Sequence, residues 1–291
     1  MSRSDSGRRR TVGLIGPGRV HRYSFGVRFR AATAYLILSL VAGNALGCTC
    51  DEPPPAPEAP EPLAPLSEPS WRVTLPVEGY GDAVVAVPLG AREPRRVVVA
   101  LHGDADRPEW QCGAWRGIAG SEVFVLCPRG VKRMDLAGPP RFTFGTLERT
   151  EQELRLALKA LKQRYGKHVA PGEVVLTGLG VGATRALQLA KQEPAFFSRL
   201  VVIEGDTEPW TAATAAAFAS RGGKRILFGC AHAPCEKLGV RNVLFTRRNG
   251  GDARLVVAGP KARGFDAHFV SLVQQHWAWL IGKDPAAKPS E

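Results

Sequence analysis

The sequence predicts an α/β fold: a mostly parallel central sheet with helices on both faces. Two observations predict it. From Trp71 onward, short β-branched runs alternate with segments of helical period, the order that builds parallel strands joined by crossover helices. Several of those runs, "RRVVVALHG" (95–103) above all, are apolar without alternation, as strands covered on both faces should be.

The elements follow in chain order. "WRVTLPV" (71–77) and "DAVVAVPL" (82–89) read as an initial antiparallel pair. The run 95–103 is the first buried parallel strand, 110–119 a short helix and "EVFVLCP" (122–128) the next strand. Between 146 and 166, apolar residues at 154, 156, 158, 161 and 165 keep near-helical spacing, and Gly166 suits the stop. "GEVVLTG" (172–178) is a strand, and Ala183–Lys191 lies on the helix after it. A strand at 198–206, a helix at 211–220 and strands at 224–230 and 252–259 follow. An amphipathic helix over 266–282 closes the domain. In such sheets ligands bind at the carboxyl ends of the strands.

The residues before this domain read as an address. Arg28 and Arg30 precede the apolar stretch Ala31–Leu46, which ends in Gly47 and Cys48. A basic region, an apolar core and a small-residue end form the layout of a bacterial secretion signal, and the stretch is short for a stable span. "ALGC" resembles a lipoprotein processing box, which makes residues 1–48 the signal and Cys48 the lipidation candidate. The Pro/Glu-rich segment 49–70 cannot bury a core and reads as a tether; at roughly 3.1 Å per residue it spans some 60 Å. The folded domain is then 71–285, with a tail at 286–291. This plan places the protein in the bacterial cell envelope, lipid-anchored to a membrane and facing the periplasm or the cell surface.

Charge is unevenly spread. Of the net +12, residues 1–30 contribute +7 (eight Arg, one Asp) and 49–70 contribute −5, leaving +10 for 71–291. Such a surface suits an anionic envelope component or a small ligand as partner, besides the membrane that holds the anchor. No Lys/Arg run interleaved with aromatics marks a nucleic-acid site. An exported chain oxidises suitable thiols, so Cys112 with Cys127 and Cys230 with Cys235 are expected as disulfides, the second across a loop. No CxxC or HxxxH spacing points to a metal, and no phosphate loop or dinucleotide fingerprint points to a cofactor, so neither is expected.

The stretch "VVLTGLGVGATRALQLA" (174–190) carries the functional question. A strand meets a small-residue turn and a helix follows. With "LHG" (101–103) at one strand end and "CPRG" (127–130) after the next, the order resembles the α/β-hydrolase superfamily over roughly 71–283. In that superfamily the turn reads G-x-S-x-G and the serine is the nucleophile. Here the frame is Gly178, Leu179, Gly180, Val181, Gly182, with glycine at the serine position.

The resemblance implies further positions. His102 and Gly103 fall in the oxyanion-hole loop, with His102 expected to pack beneath it. Asp104 and Asp106 flank that loop. The acid is expected after "KRILFGC", where His232 takes its place, with Glu204 and Asp206 as runner-up carboxylates at the preceding strand end. The histidine is expected after the last strand, where Ala262 stands. His268 comes later: it is the runner-up histidine if the loop is longer, and otherwise is expected as a surface or satisfied residue of the closing helix. Thr184 falls on the helix beyond the elbow. Removing members of such a triad costs several orders of magnitude in rate. Two readings follow: a hydrolase-fold protein that has lost catalysis and serves as a binding or scaffolding module, or an ester or peptide hydrolase with a rearranged site.

Overall fold

The computed structural model describes residues 62–259 and 265–283. The signal segment, Cys48, the tether up to residue 61, Ala262 and the tail lie outside the described residues.

Eight strands form one sheet in the order β1-β2-β4-β3-β7-β8-β9-β10. They are β1 (Arg72–Leu75), β2 (Ala83–Ala86), β3 (Val97–Leu101), β4 (Phe124–Cys127), β7 (Val175–Leu179), β8 (Arg199–Ile203), β9 (Arg225–Cys230) and β10 (Asp252–Val257). β2 pairs antiparallel with both β1 and β4. Every pairing from β4 to β10 is parallel. A two-stranded hairpin, β5 (Val131–Lys132) with β6 (Phe142–Thr143), stands apart, and residue pairs this short leave no periodic signal.

The period of two along each strand sorts side chains onto two cores. Val97, Val99 and Leu101 of β3 point into one, with residues of α2 (Leu147–Tyr165) and α3 (Val181–Gln192). Val98 and Ala100 point into the other, with α1 (Pro108–Ala119), α6 (Ala267–Gln275) and α7 (Trp277–Ile281). All five β3 residues are buried, which is why that run shows no alternation. Burying each of its valines and Leu101 is worth about 1.5–3 kcal/mol. α4 (Ala212–Ser220) and α5 (Ala233–Arg248) complete the layer on the α3 side, where Phe218 and Val243 join the first core. Helices therefore cover both faces, as the sequence predicts.

Local chemistry fixes the ends. Thr146 caps α2 by accepting from Arg149 N at 3.3 Å, and Gly166, at φ 50°, stops it. Asp266 caps α6 through Phe269 N at 3.0 Å. Three expectations are corrected. The Cys230–Cys235 bridge does not cross a loop: it joins the end of β9 to the first turn of α5, a sixteen-residue helix. The closing helix is two helices, α6 and α7, meeting at His276. The last part of the tether runs along the domain: Leu63 N donates to Arg92 O, and the Glu68 carboxylate accepts from Arg164 and Tyr165.

Both disulfides are present. Cys112–Cys127 ties α1 to the end of β4 with Cα atoms 5.9 Å apart, and Cys230–Cys235 has 5.5 Å. Among the described residues no helix is long and apolar enough to cross a membrane.

Candidate functional site

From β3 the chain crosses to β4 on one side, then returns through α2 to β7 on the other. This reversal opens a crevice at the carboxyl ends of β3 and β7, the usual ligand position in such sheets. The loop after β3 begins with His102–Gly103, and β7 ends in the elbow.

The elbow has the expected form without the expected atom. Gly180 lies between β7 and α3 at φ 53° and ψ −118°, a backbone conformation that L side chains rarely adopt. Its N–H donates to Ile203 O at 2.8 Å. A Cβ built on Gly180 would meet only Gly103 Cα, at 3.9 Å. The flanking glycines are there for a different reason. A Cβ on Gly178 would strike the backbone of Gly182 and Ala183, and one on Gly182 would strike the carbonyls of Leu101 and His102. Close packing of strand, turn and helix therefore demands Gly178 and Gly182, whereas Gly180 has room for a side chain and carries none.

The oxyanion-like loop is turned to other bonds. His102 is fully buried, 4.5 Å from the Phe144 ring centre, and holds Gly103 O and Arg129 O at 2.8 Å each through its two ring nitrogens. It packs beneath the loop, as expected, and braces it. The Gly103 N–H donates to Asp106 Oδ2 at 3.3 Å, and the same oxygen accepts from Gln111 at 3.0 Å. Asp104 pairs with Arg133, whose guanidinium lowers its carboxyl below the ordinary range. Neither aspartate points to a ligand.

At the ends of β8 and β9 the structure assembles a pair that local sequence does not announce. Glu204 adopts φ 53°, one of two non-glycine residues with positive φ among those described. One of its carboxylate oxygens accepts from Ala231 N; the other lies 2.9 Å from His232 Nδ1. His232 is the N-cap residue of α5 and its side chain is 69% exposed. So His232, expected in the acid's place, is instead the histidine of a carboxylate–histidine pair, and Glu204 supplies the carboxylate. Asp206 is exposed and turned to its own loop, accepting from Glu208 N. His268 is exposed on α6. Thr184 Oγ1 donates to Gly180 O and accepts from Asp206 N, so its hydroxyl staples the elbow to the loop after β8.

Among the described residues, one group of potential metal donors converges: Glu204, Cys230 and Cys235, with ligand atoms within 4.8 Å of one another. A cavity of about 1300 Å³ lies away from the elbow. Pro62, Leu63, Arg92, Arg95, Lys162 and Lys167 line it at the amino ends of the strands, and nothing catalytic faces it.

Comparison with known proteins agrees with this architecture. No family model matches the chain, and no curated protein matches its sequence. Solved structures do. Est1E from Butyrivibrio proteoclasticus superposes with a TM-score of 0.53 at 11% identity, covering 74% of this chain and 99% of its own. FphF, a fluorophosphonate-binding serine hydrolase of Staphylococcus aureus, gives 0.53 at 10%, covering 72% and 97%. TT1662 from Thermus thermophilus gives 0.51 at 16%, covering 74% and 98%. At these identities the likeness defines the fold: the chain has the α/β-hydrolase fold.

Proposed function

We propose that the protein is an exported, lipid-anchored member of this fold class that has given up serine hydrolysis and uses its elbow face as a binding or scaffolding module. Gly180 carries the reading. The position has the backbone of a nucleophile turn and space for a side chain, yet offers no atom to attack a carbonyl. Its surroundings support the same view, since the Gly103 N–H is already bonded to Asp106 instead of facing the crevice. The partner suited to a domain of charge +10 is an anionic envelope component or a small anionic ligand.

One observation favours the second reading, a hydrolase with a rearranged site. The Glu204 carboxylate facing His232 Nδ1 holds the ring so that Nε2 can take a proton from water. Such an enzyme would act through activated water and form no acyl-enzyme.

A fluorophosphonate probe and short-chain activated esters test both. The wild type, Gly180→Ser, His232→Ala and Glu204→Gln are compared, with FphF as positive control. We expect no labelling of the wild type or of Gly180→Ser, and ester hydrolysis at background in every variant. Stoichiometric labelling of the wild type overturns the proposal. Turnover without labelling that disappears in both His232→Ala and Glu204→Gln selects the rearranged hydrolase.

A further inference from the structure

The region that holds Glu204 and His232 has a second chemistry, independent of whether the elbow hydrolyses anything. We propose that Cys230, Cys235, Glu204 and His232 form a redox-gated site for a zinc-class divalent cation: closed as a disulfide, and open to metal once that disulfide is reduced.

Four observations carry this. The ligand atoms of Glu204, Cys230 and Cys235 lie within 4.8 Å of one another, and His232 Nδ1 is 2.9 Å from the Glu204 carboxylate. Thiolate, imidazole and carboxylate are the donor types of zinc, with Zn–S near ~2.3 Å and therefore S···S near ~3.8 Å in a tetrahedron. The Cα atoms of Cys230 and Cys235 are 5.5 Å apart, so side-chain rotation alone can open the sulfurs to that separation. Cys230 is buried at the end of β9, while Cys235 is half-buried in the first turn of α5, where the helix end favours negative charge. Glu204 is held at φ 53°, a conformation that non-glycine residues seldom adopt, and it aims its carboxylate at Ala231 N and His232.

The reaction balances simply. A dithiol reductant passes two electrons and two protons to the Cys230–Cys235 bond, giving two thiols and the oxidised, disulfide form of the reductant. The cation then displaces both thiol protons to solvent and binds two thiolates, the Glu204 carboxylate and the neutral His232 ring. The sequence gives no contiguous zinc spacing because Glu204 comes from the neighbouring strand, twenty-six residues before Cys230.

The test uses the full chain carrying Cys48→Ser and Cys50→Ser, so that the N-terminal thiols cannot contribute. A phosphine reductant, which becomes the phosphine oxide with oxygen from water as it gives two thiols, reaches the Cys230–Cys235 bond through the half-buried Cys235; the Cys112–Cys127 sulfurs are fully buried, and mass spectrometry after alkylation confirms that this bridge stays closed. Cobalt(II) is titrated as the spectroscopic substitute for zinc. We expect the reduced protein to bind one ion per chain, with thiolate-to-cobalt charge-transfer bands and tetrahedral visible bands. The unreduced protein should show neither. His232→Ala and Glu204→Gln should each weaken binding by about tenfold or more, and Cys235→Ser should abolish the charge-transfer pattern. The proposal fails if the reduced, folded protein shows no such bands. It also fails if all three substitutions leave affinity unchanged, or if circular dichroism shows that reduction unfolds the domain.

Discussion

Gly182→Ala sets two effects of known size against each other at one residue. Gly182 is the second residue of α3, where alanine has an advantage over glycine of at most about 1 kcal/mol. Against that, the new Cβ would fall on the carbonyl groups of Leu101 and His102. These are backbone atoms at the end of β3, where Leu101 is in register with Gly178 of β7, so they cannot rotate aside as a side-chain tip would. Overpacking of this kind costs about 1–3 kcal/mol, and an unyielding neighbour puts it at the upper end. The net expectation is a loss of about 2 kcal/mol, or roughly 4–8 °C in Tm for a domain of this size. Gly113 provides the control. It lies inside α1 with nothing within 4 Å of its added Cβ, so Gly113→Ala should be stabilising by up to about 1 kcal/mol. Thermal and urea melts of both variants make the comparison. If Gly182→Ala matches or exceeds the wild type while Gly113→Ala behaves as expected, the close approach of helix and strand is not what demands that glycine.

Three further expectations use separate features. Non-reducing peptide mapping should recover Cys112–Cys127 and Cys230–Cys235; removing them in pairs should cost about 3 and about 2 kcal/mol for loops of 15 and 5 residues, and four free thiols would contradict the export argument. Cys48→Ala should leave the protein soluble or unprocessed, so unchanged membrane partitioning and size would remove the lipid anchor from the proposal. Burial pushes the Glu173 carboxyl up, but bonds from Ser198, Lys224 and Arg199 outweigh it and hold it at about 2. Its stabilisation is therefore present above its ordinary value near 4.5 and lost as pH falls toward 2. Glu173→Gln should lower Tm at pH 7 by a few degrees, about 1 kcal/mol after solvent screening, and converge with the wild type near pH 2; a gap that stays constant with pH would show that charge is not the cause.

What the sequence reveals here is local, and what it conceals is lateral. The parallel strands are legible because burial on both faces writes an unbroken apolar run, as in Val97–Leu101. The elbow is legible because three glycines within five residues report crowding between one strand and the helix that follows it. α5 is not legible: Pro234 and a closely spaced cysteine pair suggest a loop, although proline is well tolerated in a first helical turn. Glu204 and His232 are 28 residues apart on adjacent strand ends, so only the parallel register of β8 with β9 brings them together. The bond between Gly103 N and Asp106 is equally invisible, because it depends on the turn at Ala105, whose φ is also positive.

The described chain starts and stops on the same side of the sheet. Leu63 bonds to Arg92 just before β3, and Trp279, near the last described residue, bonds through its carbonyl to Arg225 at the start of β9. Both lie at the amino ends of strands whose carboxyl ends carry Gly180, Glu204 and His232. A label or coupling group introduced at Leu63 therefore sits at the back of the domain. The face with the elbow stays clear of it, so partners that approach that face can be screened with the group in place.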